Sequence, residues 1–250
     1  MAVRRGAGLI PLVLVAVVVS CGGGSDADEP RALTQDEATR LAGSGYSNFL
    51  AGGADFEANS AFLTGGAADS VTLVGSVDWA THAGRALVRA DAEPGLVEVY
   101  WEESFIVERR TTLDSMVVSL GGPAEPWYVR DPQPGSRQVD RLVAVVMSLA
   151  MEQPENALLI RQKEGSVFLR SDQLRGITAD VVRFGERNIY WLEADTDTLL
   201  RFEGNAESGT APVVVDLLEI GTVEVTPPRA EDVLSPDAYP EVYDLVYGNT

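Results

Sequence analysis

The side chains able to do chemistry are few and scattered. His82 is the only histidine of the 250 residues, and it sits in Ala80-Thr81-His82-Ala83-Gly84, which reads as a hairpin turn. A solvated loop histidine is the expectation there rather than a general base. A Ser-His-Asp relay would have to use it, yet no serine stands in a nucleophile-elbow context. No His/Cys cluster has zinc-ligand spacing. Asp195-Thr196-Asp197 begins like a calcium loop, but neither the Gly nor the distal Glu of such a loop follows. Flanked by Ile189-Tyr190-Trp191-Leu192 and Leu199-Leu200-Arg201-Phe202, it reads better as an Asp-stabilised hairpin turn. Glu102 and Glu103 are neighbours on a candidate strand and so point to opposite faces. The expectation is a protein without catalytic residues, metal or cofactor, and not an enzyme.

The one reactive group with a clear context is the thiol of Cys21, the only cysteine. Arg4 and Arg5 precede an apolar run over 9–19 that is broken only by Pro11, and the small residue Ser20 then leads into Cys21. This is the layout of a secretory signal peptide, and its ending resembles the lipobox of bacterial lipoproteins. The resemblance implies that the thiol is diacylglycerated and the chain cut just before it. The apolar run is well short of the about 20 residues of a membrane span. An ordinary cleaved signal would leave an odd free thiol in an oxidising compartment. Residues 1–20 are thus expected to be a signal peptide, with the mature protein held by lipidated Cys21 on the outer face of the cell membrane.

The formal charge of −19 becomes more negative once Arg4 and Arg5 are removed. Such a surface repels nucleic acid and does not adhere to anionic headgroups by charge. Residues 21–33 read as the lipidated cysteine and a flexible acidic tether, whose coil reach is roughly 20 Å, followed by one domain over 34–234 and a tail, 235–250, that can be helical. Thr34-Gln35-Asp36-Glu37 has the form of a capping box. Ala38, Leu41, Ala42, Phe49 and Leu50 recur at helical spacing up to Gly52-Gly53.

From residue 71 the period changes to 2. Leu73, Gly75, Val77 and Trp79 share one side of a strand, and Val97, Val99 and Trp101 alternate with Glu98, Tyr100 and Glu102. Further strands are expected at 84–90, 113–120 and 126–130, in an antiparallel meander. A helix over 136–151, with Ser136 as its cap, carries the stripe Val139, Leu142, Val143, Val146 and Leu149, widened by Val145, Met147, Ala150 and Met151. A helix apolar most of the way round is buried on more than one side. Strands then resume at 157–161, 166–171, 178–184, 188–194, 198–203, 212–220 and 222–226, with short helices from Arg229 to Leu234 and around Val242, Tyr243, Val246 and Tyr247. The fold class is α+β: a single strongly curved antiparallel sheet of about ten strands, a half-barrel, with helices over its concave face.

Helix 136–151 is the element to cover that face. Either it closes a dry core with the sheet, or it leaves a cavity for an apolar ligand lined by Val143, Val146, Met147, Val77, Trp79, Val99 and Trp101. The element order, together with Ser171-Asp172-Gln173-Leu174-Arg175-Gly176-Ile177-Thr178-Ala179-Asp180-Val181-Val182-Arg183-Phe184, resembles the LolA-like carrier superfamily, and in particular its actinobacterial LppX/LprG-type lipoproteins. Gly75-Ser76-Val77-Asp78-Trp79 is similar to that family's early second strand, and Ile189–Ala194 with Leu199–Phe202 to its late hairpins. The resemblance implies a half-barrel whose cavity holds the acyl chains of lipids, glycolipids or lipoproteins. The same architecture serves envelope regulators that bind a partner protein, so fold alone does not decide between them. No residue of a known lipid site transfers to this chain.

Overall fold

The computed structural model describes residues 30–64, 67–91, 93–205 and 212–247. The signal segment and Cys21 lie outside the described residues. Thr34 and Glu37 form the expected capping box: the Thr34 hydroxyl accepts from the Glu37 N–H at 3.2 Å, and the Glu37 carboxylate accepts from the Thr34 N–H at 2.8 Å. They start helix α1 (Gln35–Ala51), and Gly52, at φ 95°, ends it in a left-handed conformation that suits a residue without a β-carbon. Strand β1 (Arg31–Ala32) precedes it, paired with a later strand, and Leu33 is buried. The folded body therefore takes in the last three residues of the expected tether.

Two antiparallel meanders follow. The first is β2 (Gly53–Thr64), β3 (Ala67–Asp78), β4 (Ala83–Ala90), β5 (Leu96–Glu102), β6 (Phe105–Arg110) and β7 (Trp127–Arg130). The second is β8 (Val167–Leu174), β9 (Ile177–Phe184), β10 (Asn188–Glu193), β11 (Leu199–Asn205) and β12 (Pro212–Ile220). Pairing of β12 with β2 joins them into one open sheet. With β1 beside β8 at one edge and β13 (Val233–Leu234) parallel to β7 at the other, the sheet has thirteen strands where about ten were expected.

Strand β2 was not anticipated, although Ala54, Phe56, Ala58 and Ser60 are buried on one face while Asp55, Glu57 and Asn59 alternate with them. The stretch 96–110 is a hairpin that turns at Glu103-Ser104. Residues 113–120 form a 3-10 turn (Thr111–Leu113) and helix α2 (Asp114–Ser119) rather than a strand, because Leu113, Met116 and Val117 repeat at helical spacing and pack on one cluster. Residues 157–161 likewise belong to helix α4 (Ala157–Gln162), which the Asn156 side chain caps by accepting from the Leu158 and Leu159 N–H groups. Residues 222–226 pair with no strand. Both neighbours of β12 are already β11 and β2, so the chain leaves the sheet and crosses its outer face, where Val225 packs beside Trp127.

The helix expected at 136–151 is α3 (Gln138–Ser148). It does not use Ser136 as a cap. Arg137 holds that position without a side-chain bond to the helix N-terminus, and Asp140 in the first turn reaches back to accept from the Gln133 N–H at 2.6 Å. The C-terminal stretch forms helix α5 (Pro240–Tyr247), which packs through Val242 and Tyr243 against Tyr128. No described helix is long and apolar enough to cross a membrane.

One large core occupies the concave face, where α1 and α3 lie against the sheet: Phe56, Leu73, Val77, Trp79, Val99 and Trp101 meet Leu41, Leu142 and Val146. A smaller cluster of Tyr100, Val107 and Trp127 lies on the opposite face beneath the 225–233 segment. Tyr100 was expected on a polar face and is buried for that reason.

Candidate functional site

The space between α3 and the sheet is closed over most of its length. Val77, Val99 and Val146 are fully buried. Trp79, 1% exposed, spends its indole N–H on the Val146 carbonyl at 3.1 Å, which fixes the helix to the sheet. These four of the seven expected cavity residues stand in packed core.

Trp101, Val143 and Met147 stand apart from them. Together with Ile106, Ala144 and Asp140 they line a cavity of about 290 Å³ along one side of the helix. Its floor is made of the buried Trp101, Ile106 and Val143. Its rim is exposed and comes from His82 in the turn between β3 and β4, from Glu102 at the end of β5, whose carboxylate accepts from the Tyr100 hydroxyl at 2.6 Å, from Glu103 in the turn that follows, and from Pro132 and Pro134 before α3. His82 is thus a turn residue, in the left-handed conformation at φ 53°. The seat of Trp101 depends on Gly84. It pairs with Trp101 across β4 and β5, and a β-carbon there would overlap the indole ring. With nothing on Gly84 the ring lies flat against the strand, its far edge meeting Phe56 at 6.2 Å between centroids.

Beside the cavity the concave face changes character. Glu108 on β6 is fully buried, and its carboxylate takes Arg110 at 2.6 Å, Arg130 at 2.9 Å and the Tyr247 hydroxyl at 2.9 Å, with Arg137 at 3.2 Å. Arg130 also clamps Asp140 with two bonds of 2.6 Å. Burial alone would push the Glu108 carboxyl up, but Arg130, Arg110 and Arg137 outweigh it and hold it below the usual carboxylate range. The cluster is a clamp that ties α3, β6, β7 and α5 together, and its charges face one another rather than the cavity. Sequence reading missed it. The available signal was Glu108 and Arg110 at inward positions of a period-2 strand whose other inward residue, Ile106, is apolar.

A second, shallower groove of about 540 Å³ lies on the other face of the sheet, between Tyr100, Phe105, Val107 and Val129 and the chain at Pro227-Pro228 and Pro236. Asp195-Thr196-Asp197 forms the β10–β11 turn as expected, held by the Thr196 hydroxyl on Glu193 at 2.7 Å rather than by the aspartates. Among the described residues no three His, Cys, Asp or Glu side chains are grouped to hold a metal ion.

No protein family's sequence model matches the chain, and no curated protein matches it. Solved structures to which it is similar include an uncharacterised conserved protein from Thermus thermophilus, with 9% identity, a TM-score of 0.38, and 80% of this chain and 97% of that one covered. MucB in the MucA/MucB complex of Pseudomonas aeruginosa aligns with 13% identity and a TM-score of 0.32, over 82% of this chain and 61% of that one. The LolA superfamily protein NE2245 from Nitrosomonas europaea aligns with 10% identity and a TM-score of 0.32, over 78% and 96%. Likenesses this loose transfer neither a function nor a partner.

Proposed function

We propose that the protein is a non-enzymatic, membrane-tethered lipoprotein of the LppX/LprG type that shelters an acyl chain of a lipid or glycolipid. The observation that carries this reading is the cavity between α3 and the β5–β6 hairpin, floored by Trp101, Ile106 and Val143. Its volume is at the lower limit of ordinary ligand sites and holds about ten groups the size of a water molecule, at about 30 Å³ each. It therefore takes one chain segment rather than a whole multi-tailed lipid. Affinity would come from apolar area removed from water, at about 25 cal/mol per Å², and selection from chain volume.

The test is native mass spectrometry of protein purified without detergent, where a bound lipid adds a discrete mass. Met147→Trp fills the cavity and removes that mass while leaving the melting temperature close to wild type. Protein that carries no lipid and takes up no fluorescent fatty-acyl probe overturns the reading. Anchoring is tested separately: Cys21→Ser abolishes lipidation, and a variant that stays membrane-bound, trimmed and of unchanged mass contradicts it.

The second reading is a sensor or regulator that binds an envelope protein, and the groove on the outer face beside Pro227-Pro228 favours it. A stable complex captured from the envelope fraction, lost on Phe105→Asp but not on Met147→Trp, would place function there.

A further inference from the structure

Among the described residues, Leu158 and Leu159 are the one pair of consecutive large apolar side chains that both stand exposed, at 52% and 62%. Single exposed leucines are ordinary on a protein surface, but two side by side on one short helix are not. The pair belongs to α4, whose Ile160 is turned into the core instead. At 3.6 residues per turn Leu158 stands opposite Ile160, with Gln162 one turn further along the same side.

The charge on this helix runs against that of the chain. Residues 156–163 hold Arg161 and Lys163, the only lysine, and no carboxylate, in a protein of formal charge −19. Both cations are exposed, and neither makes an ion pair among the described residues. Glu155 and Glu164 stand just outside the stretch. Long basic side chains beside apolar ones can keep their charges at a headgroup layer while the apolar groups sit deeper.

The helix also lies where the tether joins the body. Arg31 on β1 pairs with Phe168 on β8, and α4 runs into β8 through a turn in which the Ser166 N–H donates to the Lys163 carbonyl at 3.0 Å. On its other side α4 packs against α1, whose cap Thr34 follows Arg31 by three residues. The steps from Cys21 to Pro30 span at most about 32 Å of chain. A body anchored through Cys21 therefore holds this corner closest to the bilayer.

Resting on the lipidated-Cys21 reading, we infer that α4 is the face with which the tethered protein docks on the membrane. Leu158 and Leu159 enter the boundary between headgroups and acyl chains, and Arg161 and Lys163 meet the lipid phosphates. The rest of the acidic surface is held away by its charge.

The test uses the lipidated full-length protein in phosphatidylcholine vesicles with about one-third phosphatidylglycerol. With Cys21 acylated, Gln162→Cys supplies a single free thiol on α4, and Leu87→Cys supplies one on the outer face of the sheet, where Leu87 is 62% exposed. A bimane on each thiol is read against nitroxide-labelled lipid, and the α4 probe is expected to be quenched while the Leu87 probe is not. Leu158→Ser/Leu159→Ser lowers the quenched-to-unquenched ratio of the α4 probe at least about tenfold. Arg161→Gln/Lys163→Gln lowers it about fivefold, an effect that disappears at high salt. All these residues are exposed, so melting temperatures stay near wild type.

Equal quenching of the two probes, or none on α4, overturns the inference. So does an α4 probe that responds to protein concentration without vesicles, which makes the leucine pair a contact between copies. Intact mass distinguishes these failures from failure of the anchor: a protein with no acyl mass on Cys21 takes the tether reading down and this inference with it. None of these results depends on what the cavity binds.

Discussion

The two ends of the concave face are built from similar parts and finished differently. Where α1 meets β9–β11, the helix is tied down by polar bonds that reach across the sheet. Arg40 donates to the Asp180 carboxylate at 2.7 Å and to the Thr196 carbonyl at 3.1 Å, and Asn48 ties the same helix to the end of α3 by donating to the Leu149 carbonyl at 2.8 Å. Where α3 meets β5–β7, the helix is tied down at both ends instead, by Trp79 on Val146 and by Arg130 on Asp140. Beside those ties the face of Ala144 and Met147, above a buried Val143, meets the cavity. A helix held by a few bonds need not be covered on every side. That is how one fold holds a closed core and an open cavity on the same side of a sheet, and it predicts that disturbing a tie costs stability while disturbing the gap does not.

The largest expected effect is on the clamp. Glu108→Gln removes one carboxylate from beneath Arg110, Arg130 and Arg137 and leaves the three guanidinium groups to share Glu93 and Asp140, one positive charge in excess, a loss of about 3–5 kcal/mol read from urea denaturation. Next come two neighbours on one helix. Val146→Trp overpacks a filled site and costs about 1–3 kcal/mol or more, whereas Met147→Trp enters the cavity and stays within about 1 kcal/mol of wild type. Equal losses would mean the gap is not a gap. Trp79→Phe then breaks a buried bond and leaves the Val146 carbonyl only the Leu149 N–H at 3.3 Å, at about 0.5–1.5 kcal/mol. Trp101→Phe has no such bond to lose and costs less, so comparison of the two melting temperatures sharpens the contrast.

The smallest effect is on pH dependence. Because Glu108 titrates below its unfolded value, its contribution is complete above about pH 4.3 and is lost as pH falls through the folded value. The acid limb of a stability-pH curve is therefore shallower in Glu108→Gln than in wild type. Identical limbs would place the acid sensitivity elsewhere.

Local chemistry was legible in the sequence and distant pairing was not. The capping box at Thr34, the period-2 run through Leu73 and Val77, and the apolar stripe of α3 are each read within one element, and each stands in the structure. Short apolar runs misled at 113–120 and 157–161, where a strand and a buried helical turn have the same composition; the spacing of Leu113, Met116 and Val117 marks the first and the Asn156 cap the second. For the site, the helix was placed correctly but its cavity-facing side was narrower than the apolar stripe suggests. Val146 and Met147 are adjacent, and only the Trp79 bond, set by a strand far away in sequence, decides which of them is sealed.

The junction of β2 with β12 also governs the order in which the molecule can be made. β2 finds β3 across a hairpin within moments of synthesis, but its other edge waits for a strand near the opposite end of the chain. Until that strand arrives, the edge at Ala54–Ser60 presents a row of unpaired amides beside apolar side chains. Folding is therefore slow for a domain with so many local hairpins, and the half-made first meander is the species most exposed to aggregation. A chain delivered end-first needs either rapid delivery or a companion that covers that edge.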